Sequence, residues 1–129
     1  GKFKKSGYGG SYNYKGCSMK ITSESHLAAT VLTMTGELTI DVADRFQHDV
    51  REHVNHFDTN IIVDCAGLGL IDSVGLESLL WLSDELNRSG FKLTFVAVPE
   101  AVERIFELTR LDRIFSTHET VEAAARSVA

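Results

Sequence analysis

Ile61-Ile-Val-Asp-Cys-Ala-Gly-Leu-Gly-Leu-Ile-Asp-Ser-Val-Gly-Leu76 carries the change of pattern that decides the fold of this 129-residue chain. From Asn60 to Cys65 the residues form a short, nearly continuous apolar run with polar and glycine residues at its ends. Such a run reads as a central strand covered on both faces. Gly67 to Ile71 reads as a tight connection. A helix then starts at Asp72 or Ser73 and runs to about Arg88, with Gly90 as its C-cap. Strand, glycine-containing loop and helix together are one unit of a parallel α/β sheet.

The same alternation extends in both directions. Upstream, Lys20 to Ser25 and Ala28 to Met34 read as two strands joined by a polar turn. Thr35-Gly-Glu-Leu38 breaks the second strand, and Asp41 is a plausible N-cap for a helix through about Phe57. At about 100° per residue, Val42, Ala43, Phe46, Val50, Val54 and Phe57 share one arc, and Arg45, His48, Asp49, Glu52 and His56 lie opposite. Downstream, Lys92 to Val98 is another buried strand. Pro99 opens a helix over Glu100 to Thr109, Ile114-Phe115 reads as a short last strand, and Glu119 to Val128 as a terminal helix begun in the Ser116/Thr117 region. The expected architecture is a single α/β domain over residues 19–129, with a mixed sheet of four to five strands packed against about four helices. Residues 1–18 hold five of the ten glycines, all three tyrosines, four lysines and no acid. They read as a vector-derived leader ahead of Met19, a flexible arm, or a Gly-punctuated hairpin, the first being preferred.

Composition narrows the function. Thirteen Lys+Arg against eighteen Asp+Glu give a formal charge of −5, which argues against a nucleic-acid binder. No run approaches the roughly 20 apolar residues of a membrane span. Cys17 and Cys65 are too few for a disulfide framework, which points to a reducing cytoplasm. A hydrolase reading fails on Ser73, because Ile-Asp-Ser-Val-Gly lacks the first glycine of a nucleophile elbow. His26, His48, His53, His56 and His118 fall on expected turns or solvated faces without an orienting acid, and no phosphate-binding glycine motif occurs. His48, Glu52 and His56 share a helix face at metal-ligand spacing, but a solvated helix face gives the same pattern. No enzyme activity, cofactor or metal is expected.

Ser73 is the residue of interest. At a helix N-terminus, unpaired N–H groups favour an anion, so a phosphate on this serine would meet donors while Asp72 and Glu77 oppose it. Simple capping by Asp72 or Ser73, with Gly75 allowing close packing, explains the same residues. On the outer face of this helix Val74 and Trp81 lie seven residues apart. Trp81 is either a binding anchor or is covered by a neighbouring element.

The quoted stretch resembles the signature of STAS domains, and more narrowly that of bacterial anti-sigma factor antagonists. Thr35-Gly-Glu-Leu38, Val98-Pro-Glu-Ala-Val-Glu-Arg104 and Leu108-Thr-Arg-Leu-Asp-Arg-Ile-Phe115 agree in order, and the likeness runs from about Lys20 to the C-terminus. The resemblance implies a cytoplasmic switch, a monomer or weak dimer, that binds an anti-sigma factor acting also as a serine kinase. It implies phosphorylation of Ser73 by that kinase, release of the partner, and resetting by a PP2C-type phosphatase. The docking surface implied is Asp72, Ser73, Val74, Gly75, Glu77 and Trp81 with the loop Gly36, Glu37, Leu38 and Thr39. Val74 stands where many members carry Ser or Thr, Glu77 where a small residue is common, and Thr39 where close relatives often have Asp. Two other roles fit the same fold: a subunit bracing a lipid-transport ATPase, or a module holding a small ligand among the apolar sides of its helices.

Overall fold

A computed structural model describes residues 8–14, 17–53 and 57–128 of the chain. The order of elements is β1 (Tyr8–Tyr14), β2 (Cys17–His26), β3 (Ala29–Leu38), α1 (Ala43–His53), β4 (Asn60–Ile71), α2 (Ser73–Arg88), β5 (Leu93–Val96), α3 (Glu100–Leu108), β6 (Ser116–His118) and α4 (Val121–Val128). One six-stranded sheet runs in the order β1-β2-β3-β4-β5-β6. The β1/β2 and β2/β3 pairs are antiparallel, and β3 to β6 are parallel neighbours. The five strands β2–β6 and four helices make the expected mixed α/β domain. Part of the supposed leader joins it, because Tyr8 to Tyr14 pair along β2 from Ser23 to Cys17.

The two faces of the sheet follow from strand alternation. Ile61 and Val63 of β4 and Phe95 of β5 face a core closed by Phe46 and Val50 of α1, Leu79, Leu82 and Leu86 of α2, and Val102 and Phe106 of α3. Ile62 and Val96 face the other way, under Ala124 and Ala125 of α4. That two-sided cover explains the continuous apolar run in β4. Full burial of each large side chain contributes about 1.5–3 kcal/mol. The rings of Phe95, Phe106 and Phe115 meet with centroids 4.8–5.6 Å apart.

Several boundaries differ from the sequence expectation, each for a local reason. Thr35 to Leu38 do not break β3: the strand continues along β4, with ladder irregularities between Thr33 and Thr35 and between Gly36 and Glu37. Gly67 to Ile71 are likewise not a connection but the second half of β4. Ile114-Phe115 is not a strand. Arg110, at φ +67, ends α3 and leads into a 3-10 turn that buries Leu111 and Phe115, so β6 begins one residue later. Thr120, not Ser116 or Thr117, starts α4, its hydroxyl accepting the Ala123 N–H at 3.1 Å. Phe57 lies beyond α1 with φ +51, and Val54 and His56 fall outside the described residues.

The C-terminal end of α1 is tied to β2 by a buried polar chain. Ser23 Oγ and His53 Nδ1 share a hydrogen bond of 2.7 Å, and His53 Nε2 lies 3.3 Å from Asp49 Oδ2. Burial of the imidazole pulls its pKa below the ordinary 6.5, against the opposing pull of Asp49 and Glu52. The native state therefore binds fewer protons than the unfolded chain just below that value, and stability falls as the pH drops beneath 6.5. Urea midpoints measured from pH 7.5 downward are expected to show this loss, and His53→Gln should flatten it; an unchanged slope in the variant contradicts the assignment.

Candidate functional site

The loop after β4 is built around Asp72. Its backbone is extended (φ −107, ψ −175), so it stands outside α2 as the N-cap. Its Oδ1 accepts the Gly75 N–H at 2.8 Å, and its Oδ2 accepts the Ile40 N–H at 2.9 Å. The Asp72 N–H reaches back to the Leu38 carbonyl at 3.3 Å. One carboxylate thus clamps the start of α2 to the loop between β3 and α1. Gly75 makes the close approach possible, since a Cβ there would stand 2.2 Å from the Leu38 carbonyl oxygen and 2.9 Å from Ile71 Cγ1.

Ser73 is the first residue of α2 and is exposed. Because Asp72 supplies the cap, the serine hydroxyl is not consumed by it. Helical geometry leaves the N–H groups of Ser73 and Val74 without intrahelical acceptors, whereas the Gly75 N–H already serves Asp72. Glu77, one turn along, is exposed, and Glu37 is partly so. The site therefore combines a bare hydroxyl, a few free donors and three carboxylates.

The residues expected at the docking surface divide. Ser73 and Glu77 are exposed, and Gly36, Glu37, Asp72 and Val74 are partly so. Leu38, Thr39 and Gly75 are buried, not part of the exposed surface: Leu38 is in the core, Thr39 is 7% exposed, and Gly75 is pressed on the Leu38 backbone. They shape the surface from beneath. Trp81 is half-buried, its ring edge-on to Phe57 at 5.8 Å and the Arg51 guanidinium 4.9 Å above it. Of the two readings open for Trp81, cover by neighbouring groups accounts for much of its surface.

Two apolar residues complete the site that the sequence did not mark. Ile40, whose N–H the Asp72 carboxylate holds, is 65% exposed, and Leu70, just before Ile71, is 48% exposed. Leu70 escaped because alternation fails in this part of β4. Gly36 pairs with Leu68 while Glu37 pairs with Leu70, so Gly69 is an extra residue that turns Leu70 away from the face of Leu68. Ile40 sits in an irregular loop where no periodicity applies. Of the candidate metal set, His56 lies outside the described residues; among those described, no group of three His, Cys, Asp or Glu could hold an ion. Nor is any helix among them long and apolar enough to cross a membrane.

The STAS domain family model matches residues 20–124. The chain belongs to the STAS domain family. It is 27% identical over 111 residues to the anti-sigma-F factor antagonist RsfB of Mycobacterium tuberculosis, covering 86% of this chain and 90% of that one. The fold matches the crystal structure of an anti-sigma factor antagonist from Mycobacterium paratuberculosis with a TM-score of 0.75 at 23% identity, over 85% and 93% of the two chains. It also matches the phosphorylated form of the Bacillus cell fate determinant SpoIIAA, with a TM-score of 0.63 at 18% identity over 84% and 99%. In this STAS domain the clamp should be a measurable part of stability. Asp72→Ala removes the acceptor of two N–H groups and is expected to cost about 2 kcal/mol, read as a lower urea midpoint at unchanged slope. Gly75→Ala should cost about 3 kcal/mol or more through overpacking against the Leu38 carbonyl; full stability of either variant would refute the local geometry.

Proposed function

We propose that this STAS domain is a cytoplasmic anti-sigma factor antagonist whose binding is ended by phosphorylation of Ser73. In this reading it docks on an anti-sigma factor that is also a serine kinase, a sigma factor is freed, and a PP2C-type phosphatase restores the unmodified serine. The observation that carries it is the bare, exposed hydroxyl at the start of α2, next to Asp72, whose carboxylate holds the backbone of exposed Ile40. The sequence likeness to RsfB supports the same role. SpoIIAA, of the same fold, is a protein with a phosphorylated form.

The chemistry of the switch follows from charge and water. Ile40 and Leu70 offer apolar area that gains by being covered. Gly36, Glu37, Val74 and Glu77 form the rim, with Asp72 fixing the geometry. A phosphate on Ser73 adds about −1.5 to −2 charge in the middle of this surface. The free N–H groups of the first turn stabilise it only partly, because Asp72 and Glu77 repel it and the Gly75 donor is taken. A charged, strongly hydrated group then stands where the partner must expel water, and the complex opens. The serine is a substrate; catalysis belongs to the kinase and the phosphatase.

Calorimetric titration of the cognate anti-sigma factor tests this reading. Ser73→Ala should bind as tightly as the natural chain, and Ser73→Asp should bind about 30-fold or more weakly. Equal affinity of the two variants, with both folded by circular dichroism, contradicts the proposal.

A further inference from the structure

The sheet ends at β1, and no strand among the described residues pairs with its outer side. β1 precedes residues 20–124, the span of the family match, so this edge is carried by a segment outside that span. Tyr8-Gly-Gly-Ser-Tyr-Asn-Tyr14 contains no charge and no proline, and it runs along β2 from Ser23 to Cys17 without a register shift. Charges, prolines and bulges are the usual devices that keep an edge strand from pairing with another chain. β1 has none of the three. The opposite edge of the sheet, β6, is only three residues long.

Which backbone groups of β1 face outward follows from the strand connections. Two residues separate Tyr14 from Cys17, and two separate His26 from Ala29. The pair that closes a two-residue hairpin exchanges backbone hydrogen bonds, and hydrogen-bonded pairs recur at every second residue from there. From His26 and Ala29, the even-numbered residues of β2 bond to β3 and the odd-numbered ones to β1. From Tyr14 and Cys17, Tyr8, Gly10, Tyr12 and Tyr14 bond to those odd-numbered residues. The two connections agree, and they leave the N–H and C=O groups of Gly9, Ser11 and Asn13 directed away from the sheet. A second β1 running antiparallel engages all three in one register alone, in which Ser11 opposes Ser11 and Gly9 opposes Asn13 on either side of a two-fold axis. The strand is uncharged, so a chain of net charge −5 sets no like charges directly across that axis. Such a two-fold contact is closed and stops at a dimer. We infer that β1 is a self-pairing edge that joins two copies of this chain through antiparallel β1 strands in the Ser11-centred register, one sheet running through both copies. No residue of β1 belongs to the Ser73 site, so this inference and the switch reading stand or fall separately.

Sedimentation velocity and amide hydrogen exchange on the 15N-labelled full chain test the pairing. Between about 10 μM and about 1 mM the chain should pass from monomer to dimer, with a Kd of about 100 μM. Over that range the amides of Gly9, Ser11 and Asn13 should gain about fivefold protection, whereas those of Gly10, Tyr12 and Tyr14, already bonded to β2, should not change. Ser11→Lys and Ser11→Glu each set like charges across the axis, and each should remain monomeric at about 1 mM. An equimolar mixture of the two variants should dimerise again, which separates lost pairing from a lost hairpin. A natural chain that is monomeric at about 1 mM, a dimer that survives in either variant alone, a mixture that does not associate, or protection gained outside Gly9, Ser11 and Asn13 in their place would overturn the inference.

Discussion

The Asp72 carboxylate is the interaction on which the candidate site rests. With one oxygen on the Gly75 N–H and the other on the Ile40 N–H, it joins the start of α2 to the loop leaving β3. Charge-assisted bonds of this kind are roughly twice as strong as neutral ones. Their consequence here is positional. Ser73 is left at the first helical position without a capping duty, and Ile40 is held on the same side of the domain.

That clamp depends on a close contact beneath it. Gly75 lies so near the Leu38 carbonyl that no side chain fits, and Leu38 is itself fixed in the core beside Ile71. Buried residues thus set the height and angle of an exposed serine. At the other end of the same helix-and-strand layer, burial of His53 beside Asp49 pulls its pKa below the ordinary value. The parallel half of the sheet places the Ser73 loop at the carboxyl end of β4.

Much of this was legible in the residues. The continuous apolar run at Ile61–Cys65 gave the start and the buried half of β4, and Asp72 ahead of a leucine-rich helix with Gly90 (φ +86) after its end gave α2 nearly to the residue. The likeness around Asp72-Ser73 pointed to the serine before its exposure was known. What escaped was set by tertiary pairing. Gly67–Ile71 looked like a turn because its glycines weaken strand propensity, yet β3 supplies a full partner for it. Leu38 and Thr39 seemed surface residues in a loop, but β3 extends to Leu38 and both residues are buried. Tyr8–Tyr14 carry too little periodicity to reveal a strand, and only the pairing with β2 organises them.

The account's central claim is that a single exposed hydroxyl decides whether a partner can dock. Its most direct test is to incubate the protein with ATP and its cognate anti-sigma kinase, then measure intact mass, map any adduct, and follow the complex by size-exclusion chromatography. The account predicts one phosphate (about 80 Da), located on Ser73, and elution of the two proteins apart once it is present. A phosphate on another residue, or a fully Ser73-phosphorylated protein that still elutes with the kinase, would contradict it.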